Sequence, residues 1–189
     1  ENELLASFMN FWTKHYPDVI TGWNTEFFDI PFLVNRVTKV LGEDRAKEFS
    51  PWGNVSSRSV YSHGRPQQVY DIQGVSNLDY LQIYRKFTYT AQESYRLDHI
   101  ASVELGAKKN ENPYDTFKDW YTKDYQSFID YNIVDVELVD QLEDKMKLLE
   151  LCLTMAYEAK VNYEDVFGQV KYWDILIYNF LRKRKIVIP

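Results

Sequence analysis

The chain has 189 residues, 45% of them apolar and 26% charged, which suits one domain with a real core. Its formal net charge of −6 at pH 7 argues against a free-standing, non-specific nucleic-acid binder, whose grip would come from Lys and Arg on phosphates. No apolar run approaches the roughly eighteen residues of a membrane span, and the acidic start is unlike a signal peptide, so a soluble cytoplasmic protein is expected.

Residues 1–16 carry Leu4, Leu5, Phe8, Phe11 and Trp12 close to helical spacing, and Pro17 stops that helix. Residues 18–23 form a short strand around Val19 and Ile20, with Gly22 near its end. Ile30, Leu33, Val34, Val37, Val40 and Leu41 mark one face of the next helix. Pro31 fits only its first turn, and Gly42 closes it. Asp29 then falls at or near the N-cap, where the helix dipole favours an ionised carboxylate. By itself it reads as a capping residue. Residues 43–49 add a short helix, and 50–59 read as a polar connection without periodicity.

Val55 to Ile72 has the pattern of a hairpin whose arms meet at Ser62-His63-Gly64-Arg65. His63 reads as an exposed turn residue, because no second His or Cys stands at metal-ligand spacing. Residues 74–78 form another strand, and Leu78-Asp79-Tyr80 opens a helix to about Lys86 with Asp79 as its N-cap. Leu97 to Leu105 is helical and ends at Gly106, with Asp98 and His99 in structural or solvated roles. Residues 108–119 read as a polar loop.

From about Thr122 one helical pattern runs to Ala159. Within it Tyr131 and Asp135 stand four apart, so a phenol and a carboxylate share one helix face. Phe128, Val134, Leu138 and Val139 flank that face and put the pair at the edge of an apolar core. An Asp there can ligate a metal while the phenol orients a water, or the pair can simply be packed and solvated. Cys152, between Leu151 and Leu153, reads as a small buried hydrophobe. Residues 162–168 break the pattern, a final helix carries Tyr172, Ile175, Leu176, Tyr178, Asn179 and Leu181, and residues 186–188 start an extended segment. The basic run Arg182-Lys183-Arg184-Lys185 suits either a helix C-terminus or a phosphate contact.

Asn24-x-x-x-Phe28-Asp29 and Tyr131-x-x-x-Asp135, the latter ending 106 positions after Asp29, resemble the second and third exonuclease motifs of family-B DNA polymerases. The run Thr21-Gly22-Trp23-Asn24 is similar to that of the replicative polymerases of T-even-like tailed phages. Ser94-Tyr95-Arg96-Leu97-Asp98, followed by Leu105-Gly106 and Lys108-Lys109, resembles the segment these polymerases carry before the third motif.

The resemblance implies an α/β, ribonuclease-H-like 3′-5′ exonuclease fold with a projecting hairpin at about 55–72 and a helical C-terminal part. It divides the chain into an exonuclease domain at 1–160 and, at 161–189, a helical connection towards a polymerase palm. It implies Asp29 and Asp135 as metal ligands and Tyr131 as the residue that orients the attacking water. Asn24 and Phe28 contact the 3′-terminal nucleotide by hydrogen bond and stacking. The implied cofactor is Mg²⁺ or Mn²⁺. The implied partners are DNA, as a primer-template and a single-stranded 3′ end, the remainder of the polymerase chain, and a sliding clamp through regions outside this segment; no membrane is implied.

The family's first motif, a strand-borne Asp-x-Glu, has no counterpart among the 28 residues before Asp29, since Glu1-Asn2-Glu3 heads a helical pattern. The fold is therefore expected to lack its N-terminal strands and half of its metal-binding carboxylates, leaving the fragment inactive alone. Two other readings stand: a non-catalytic module binding single-stranded DNA or a partner, and part of a DEDD-type RNA exonuclease.

Overall fold

The computed structural model describes residues 1–62, 64–106 and 113–187. His63, the Lys108-Lys109 pair, residues 108–112 of the polar loop and Ile188 lie outside that set.

An apolar stripe ending at the lysine before His15 forms α1, Asn2–Lys14, which buries Leu5 and Met9. The short strand β1, Val19–Gly22, runs into a turn and then α2, Asp29–Leu41, which buries Ile30, Val34 and Val37. Helix α3, Glu43–Lys47, follows directly from Gly42, whose φ of 98° no side-chain-bearing residue adopts easily. Together α1 and α2, with Phe49, Ile72 and Val75, make one core. Its fully buried aliphatic side chains stabilise by ~1.5–3 kcal/mol each.

Strands β2, Val55–Ser62, and β3, Arg65–Ile72, pair antiparallel in the expected hairpin, from Val55↔Ile72 at the base to Ser62↔Arg65 at the tip. The polar connection expected over 50–59 is thus shorter. Its second half is strand, because Val55 continues the alternation that packs the ribbon's base on the first core.

Strand β4 spans Ser76–Asp79, starting two residues later than the sequence pattern suggests, and pairs parallel with β1. The register sets Gly22 opposite Asp79, so both strands end together. Helix α4, Tyr80–Phe87, begins at once, capped by Asp79, whose carboxylate accepts from the Leu81 N–H. Helix α5, Leu97–Leu105, ends at Gly106 in the left-handed region.

The region from Thr122 to Ala159 is not one helix. Thr122 and Lys123 close α6, Phe117–Lys123; α7 covers Tyr125–Met146 and α8 Leu148–Ala159. Lys147 breaks the rod at φ 54°. Glu143 satisfies the new helix start, accepting from Leu149 N–H at 2.9 Å and Glu150 N–H at 3.2 Å. A 3₁₀ turn, Tyr163–Phe167, precedes α9, Gln169–Lys183, which buries none of its residues.

The second core gathers α4, α5, α7 and α8 around Tyr80, Ile83, Ile100, Leu142 and Cys152, and Val166 of the 3₁₀ turn joins it. Cys152 is fully buried, and burial together with the charge of Glu143 pushes its thiol up to about 11. The architecture is α/β, mostly helical, with one two-stranded parallel sheet and one hairpin among the described residues. No described helix is long and apolar enough to cross a membrane.

Candidate functional site

The parallel strands β1 and β4 deliver two side-chain groups to their shared carboxyl end, the position where open α/β sheets place ligands. The chain leaves β1 through a tight turn from Trp23 to Phe28. Gly22 permits it: a Cβ there would stand 2.7 Å from Thr25 Cγ2. Asn24 takes φ 69°, a left-handed conformation that Asn tolerates better than most residues. Phe28 N–H then donates to Asn24 O at 3.1 Å, and Ile30 N–H to Thr25 O at 3.0 Å, winding the chain into α2.

Side chains anchor this turn on both flanks. Thr25 is buried and its hydroxyl donates to Asn77 Oδ1 at 2.8 Å; Thr21 donates to Leu78 O at 2.7 Å. The Trp23 indole donates to Tyr95 O at 3.1 Å and rests near the rings of Tyr80 and Tyr84. Glu26 accepts from Arg58 of β2 at 2.9 Å and from Gln82 of α4, joining hairpin, turn and helix.

Asp79 lies beneath the turn, 2% exposed. Its Oδ1 accepts from Asn24 N–H at 3.1 Å and Leu81 N–H at 3.0 Å, and its Oδ2 from Glu26 N–H at 3.1 Å. Burial raises its carboxyl pKa while these N–H groups pull it down.

Asp29 is the first residue of α2, one place inside the expected cap. Phe28 holds the N-cap position, without a side-chain bond. The capping reading of Asp29 therefore finds no cap bond to support it. Asp29 is exposed as a residue, yet its carboxyl pKa is raised, first by partial burial of the group and further by the charge of Asp79, with its own N–H acting against both. Such a carboxylate would gain from a nearby cation. Glu26 is raised in the same way, by burial first, with Arg58 opposing.

Against the turn that leads into α2 opens a cleft of about 470 Å³ whose lining includes Asn24, Phe28, Ser62, Arg85, Arg96 and Asp98. Phe28 is 65% exposed while Phe27 is half-buried, so Phe27 packs inwards and the Phe28 ring is presented to the cleft's surroundings. The Arg85 guanidinium sits over the Tyr95 ring at 4.4 Å. Two guanidinium groups and an exposed ring thus concentrate here in a chain that is acidic overall.

Tyr131 and Asp135 occupy α7, one turn apart and both half-buried, with Leu138 and Val139 buried below them. The Tyr131 ring packs on Trp120 of α6, centroids 4.8 Å apart, and on Phe117 at 6.3 Å. Trp120 is itself buried and donates to Ser127 Oγ at 3.2 Å. The sequence reading missed α6, having assigned its start to a loop. Its signal was a capping pair: Thr116 accepts from Asp119 N–H at 3.0 Å and its hydroxyl donates to Asp119 Oδ2.

Asn24, Phe28 and Asp29 therefore share one turn, whereas Tyr131 and Asp135 share one helix face. Among the described residues no three His, Cys, Asp or Glu side chains converge closely enough to hold a metal ion. Asp29 and Asp135 each carry the hard oxygen donors that Mg²⁺ and Mn²⁺ take. The neighbouring Asp79 has both oxygens engaged by backbone N–H groups.

Residues 1–100 match the exonuclease domain of DNA polymerase family B. The chain is 38% identical over 191 residues to the DNA-directed DNA polymerase of Escherichia phage RB69, and 38% over 190 to that of Enterobacteria phage T4. Each alignment covers the whole of this chain and 21% of the phage protein. The DNA polymerase delta catalytic subunit of Candida albicans is 29% identical over 204 residues, covering all of this chain and 19% of that protein. The chain spans about a fifth of the length of these relatives, and with its first hundred residues matched to that domain it belongs to the family-B DNA polymerases.

Proposed function

We propose that this chain carries part of the 3′-5′ proofreading exonuclease of a family-B DNA-directed DNA polymerase, hydrolysing the 3′-terminal phosphodiester of DNA. The observation that carries it is the cleft against the turn that precedes Asp29, where an exposed Phe28 ring, the Asn24 turn, Arg85 and Arg96 gather at the carboxyl end of β1 and β4. A single-stranded end needs such an aromatic platform and cationic wall.

In this reading Asp29 and Asp135 hold divalent cations, Mg²⁺ or Mn²⁺, which when bound supply a hydroxide near neutral pH and charge neutralisation at the leaving 3′ oxygen. Tyr131 orients the attacking water through its phenol, a poor base but an able hydrogen-bond donor and acceptor. Trp120 and Phe117 hold that ring in place. Phe28 stacks on the terminal base, and Asn24 bonds the terminal nucleotide. A mispaired end frays more easily, and that preference makes the activity a proofreading one. Further carboxylates come from parts of the polymerase outside this chain and complete a ribonuclease-H-like layer. Residues 1–160 form the exonuclease part, and 161–189 a helical connection to the rest of the polymerase, tied at its start to the core by Val166.

The test is hydrolysis of 3′-labelled single-stranded DNA with Mn²⁺, by the full natural chain that carries this segment. Asp29→Ala and Asp135→Ala are each expected to reduce release of labelled mononucleotide to background; retained release by either variant would overturn the assignment. The dispersed arrangement of carboxylates favours one further reading for the isolated segment, binding of single strands without hydrolysis. EDTA-insensitive binding, with no release of mononucleotide, is its signature.

A further inference from the structure

We infer that Asp79 is a positioning residue of the exonuclease centre, its buried carboxylate fixing the turn from Asn24 to Phe28 and hence the placement of Asp29. The inference rests on the exonuclease reading above.

Capping α4 alone does not require an aspartate at position 79. Ser, Thr or Asn caps a helix as well, and a single acceptor for Leu81 N–H suffices. A buried carboxylate, by contrast, is costly to desolvate without compensation, and Asp79 is 2% exposed, with burial the largest influence on its carboxyl. What compensates it is a set of backbone N–H groups, two of them from the opposite side of the strand pair. Oδ1 takes Asn24 N–H along with Leu81 N–H, and Oδ2 takes Glu26 N–H. Beside the Leu81 and Gln82 N–H groups at the start of α4, the same carboxylate therefore serves two N–H groups of the turn, 53 to 55 residues away in sequence.

The turn needs such a hold. Asn24 sits in a left-handed conformation that costs an L residue free energy, and its N–H is one of the two from the turn that Asp79 accepts. Gly22, where the turn begins, lies opposite Asp79 in the strand register, so the carboxylate is under the loop from its first residue. Phe28 and Ile30 then take their N–H bonds from Asn24 O and Thr25 O, which passes the geometry of the turn into the first residues of α2 and to Asp29. A misplacement of ~1 Å at a reacting centre is enough to cost about 10²-fold in rate.

The test uses the full natural chain with two substitutions. Asp79→Ser keeps a hydroxyl acceptor for the cap of α4 but is too short to reach Asn24 and Glu26. Asp79→Asn keeps the length and replaces one acceptor oxygen by a donor. Amide hydrogen exchange is read by mass spectrometry over residues 22–30 and 80–87, together with kcat and KM on single-stranded DNA and the Mn²⁺ concentration for half-maximal rate. In Asp79→Ser, exchange over 22–30 should rise by about tenfold or more while 80–87 stays protected. The rate constant kcat should fall by ~10- to 100-fold, the Mn²⁺ requirement should rise, and KM should change little. Asp79→Asn should fall between this variant and the parent, and it decides the matter if the serine variant does not fold. Unchanged exchange over 22–30, or faster exchange with unchanged kcat and Mn²⁺ requirement, would overturn the inference. Full activity in Asp29→Ala would instead remove the exonuclease reading, and Asp79 would then be a purely structural support.

Discussion

The two halves of the candidate site are held by different physics. Asp29 follows a turn fastened by hydrogen bonds, to Asp79, Asn77 and Tyr95, whose partners come from elsewhere in the fold. Tyr131 and Asp135 project from a regular helix, and what holds the Tyr131 ring is aromatic packing by Trp120 and Phe117 from the adjoining helix. Hydrogen bonds specify direction, and each is lost completely when its geometry slips; packed rings tolerate small shifts but depend on volume. The turn should therefore fail through single-atom changes, and the α7 face through loss of bulk.

The largest effect expected is on chemistry at the α7 face. Beyond the loss predicted for Asp135→Ala, Tyr131→Phe keeps the ring on Trp120 and removes only the hydroxyl. Exonuclease kcat should fall by about 10²-fold with the folding midpoint in urea little changed. A stability loss without a rate loss would make Tyr131 a packing residue and nothing more. Trp120→Ala is the complementary test. Removing a buried indole should cost ~3–5 kcal/mol of stability by urea unfolding, and the rate should drop because Tyr131 loses its backing. A loss below ~1 kcal/mol would show that α6 carries little of the fold.

Much of this layout could be read from residue order. The hairpin, the Gly42 and Gly106 helix ends, the α4 cap at Asp79 and the burial of Cys152 all follow from local chemistry, and each is found. Helix α6 had a local signal in the Thr116/Asp119 capping pair, set in a run of polar residues. Two features could not be read locally. The break between α7 and α8 falls at Lys147, with no Gly, Pro or Asn to announce it, and Glu143 supplies the new cap from inside the preceding helix. The role of Asp79 towards Asn24 and Glu26 depends on partners more than fifty positions away, which no local pattern encodes. For the site itself, the sequence motifs fall on one turn and one helix face, whereas Arg85 was not singled out and Arg96 stood only within the Ser94 to Asp98 run with no site role, since a cleft gathers residues that share no spacing.

The aromatic flank of the turn gives a smaller, pH-dependent effect. Tyr84 is fully buried against Trp23, donates to Glu104 at 2.8 Å, and has its pKa pushed up to about 12 by burial and then by Glu104. In the unfolded chain the phenol titrates near 10. From about pH 10 upwards the unfolded state releases this proton before the folded state does, so stability falls as pH rises towards 12. The loss attributable to Tyr84 should approach roughly 2 kcal/mol. Tyr84→Phe should flatten that part of the pH profile of urea unfolding; an unchanged slope would mean that Tyr84 is not the group responsible.

The smallest effect belongs to the link between hairpin and turn. Arg58 is half-exposed and bridges Asp71 on β3 and Glu26 on the turn. Exposed ion pairs typically contribute only 0.2–1 kcal/mol and are screened by salt. Arg58→Ala should therefore lower stability by less than about 1 kcal/mol at low ionic strength, with the difference shrinking in 0.5 M salt. Glu26 complicates this, because its carboxylate is partly buried and would retain, among the described residues, the Gln82 bond. A loss well above ~1 kcal/mol that persists in salt would mean that the cost lies in the desolvated Glu26, not in the exposed pair. The hairpin would then count among the supports of the Asp29 turn, and the contrast between a hydrogen-bonded turn and a packed helix face would need a third member, an ionic tie from β2.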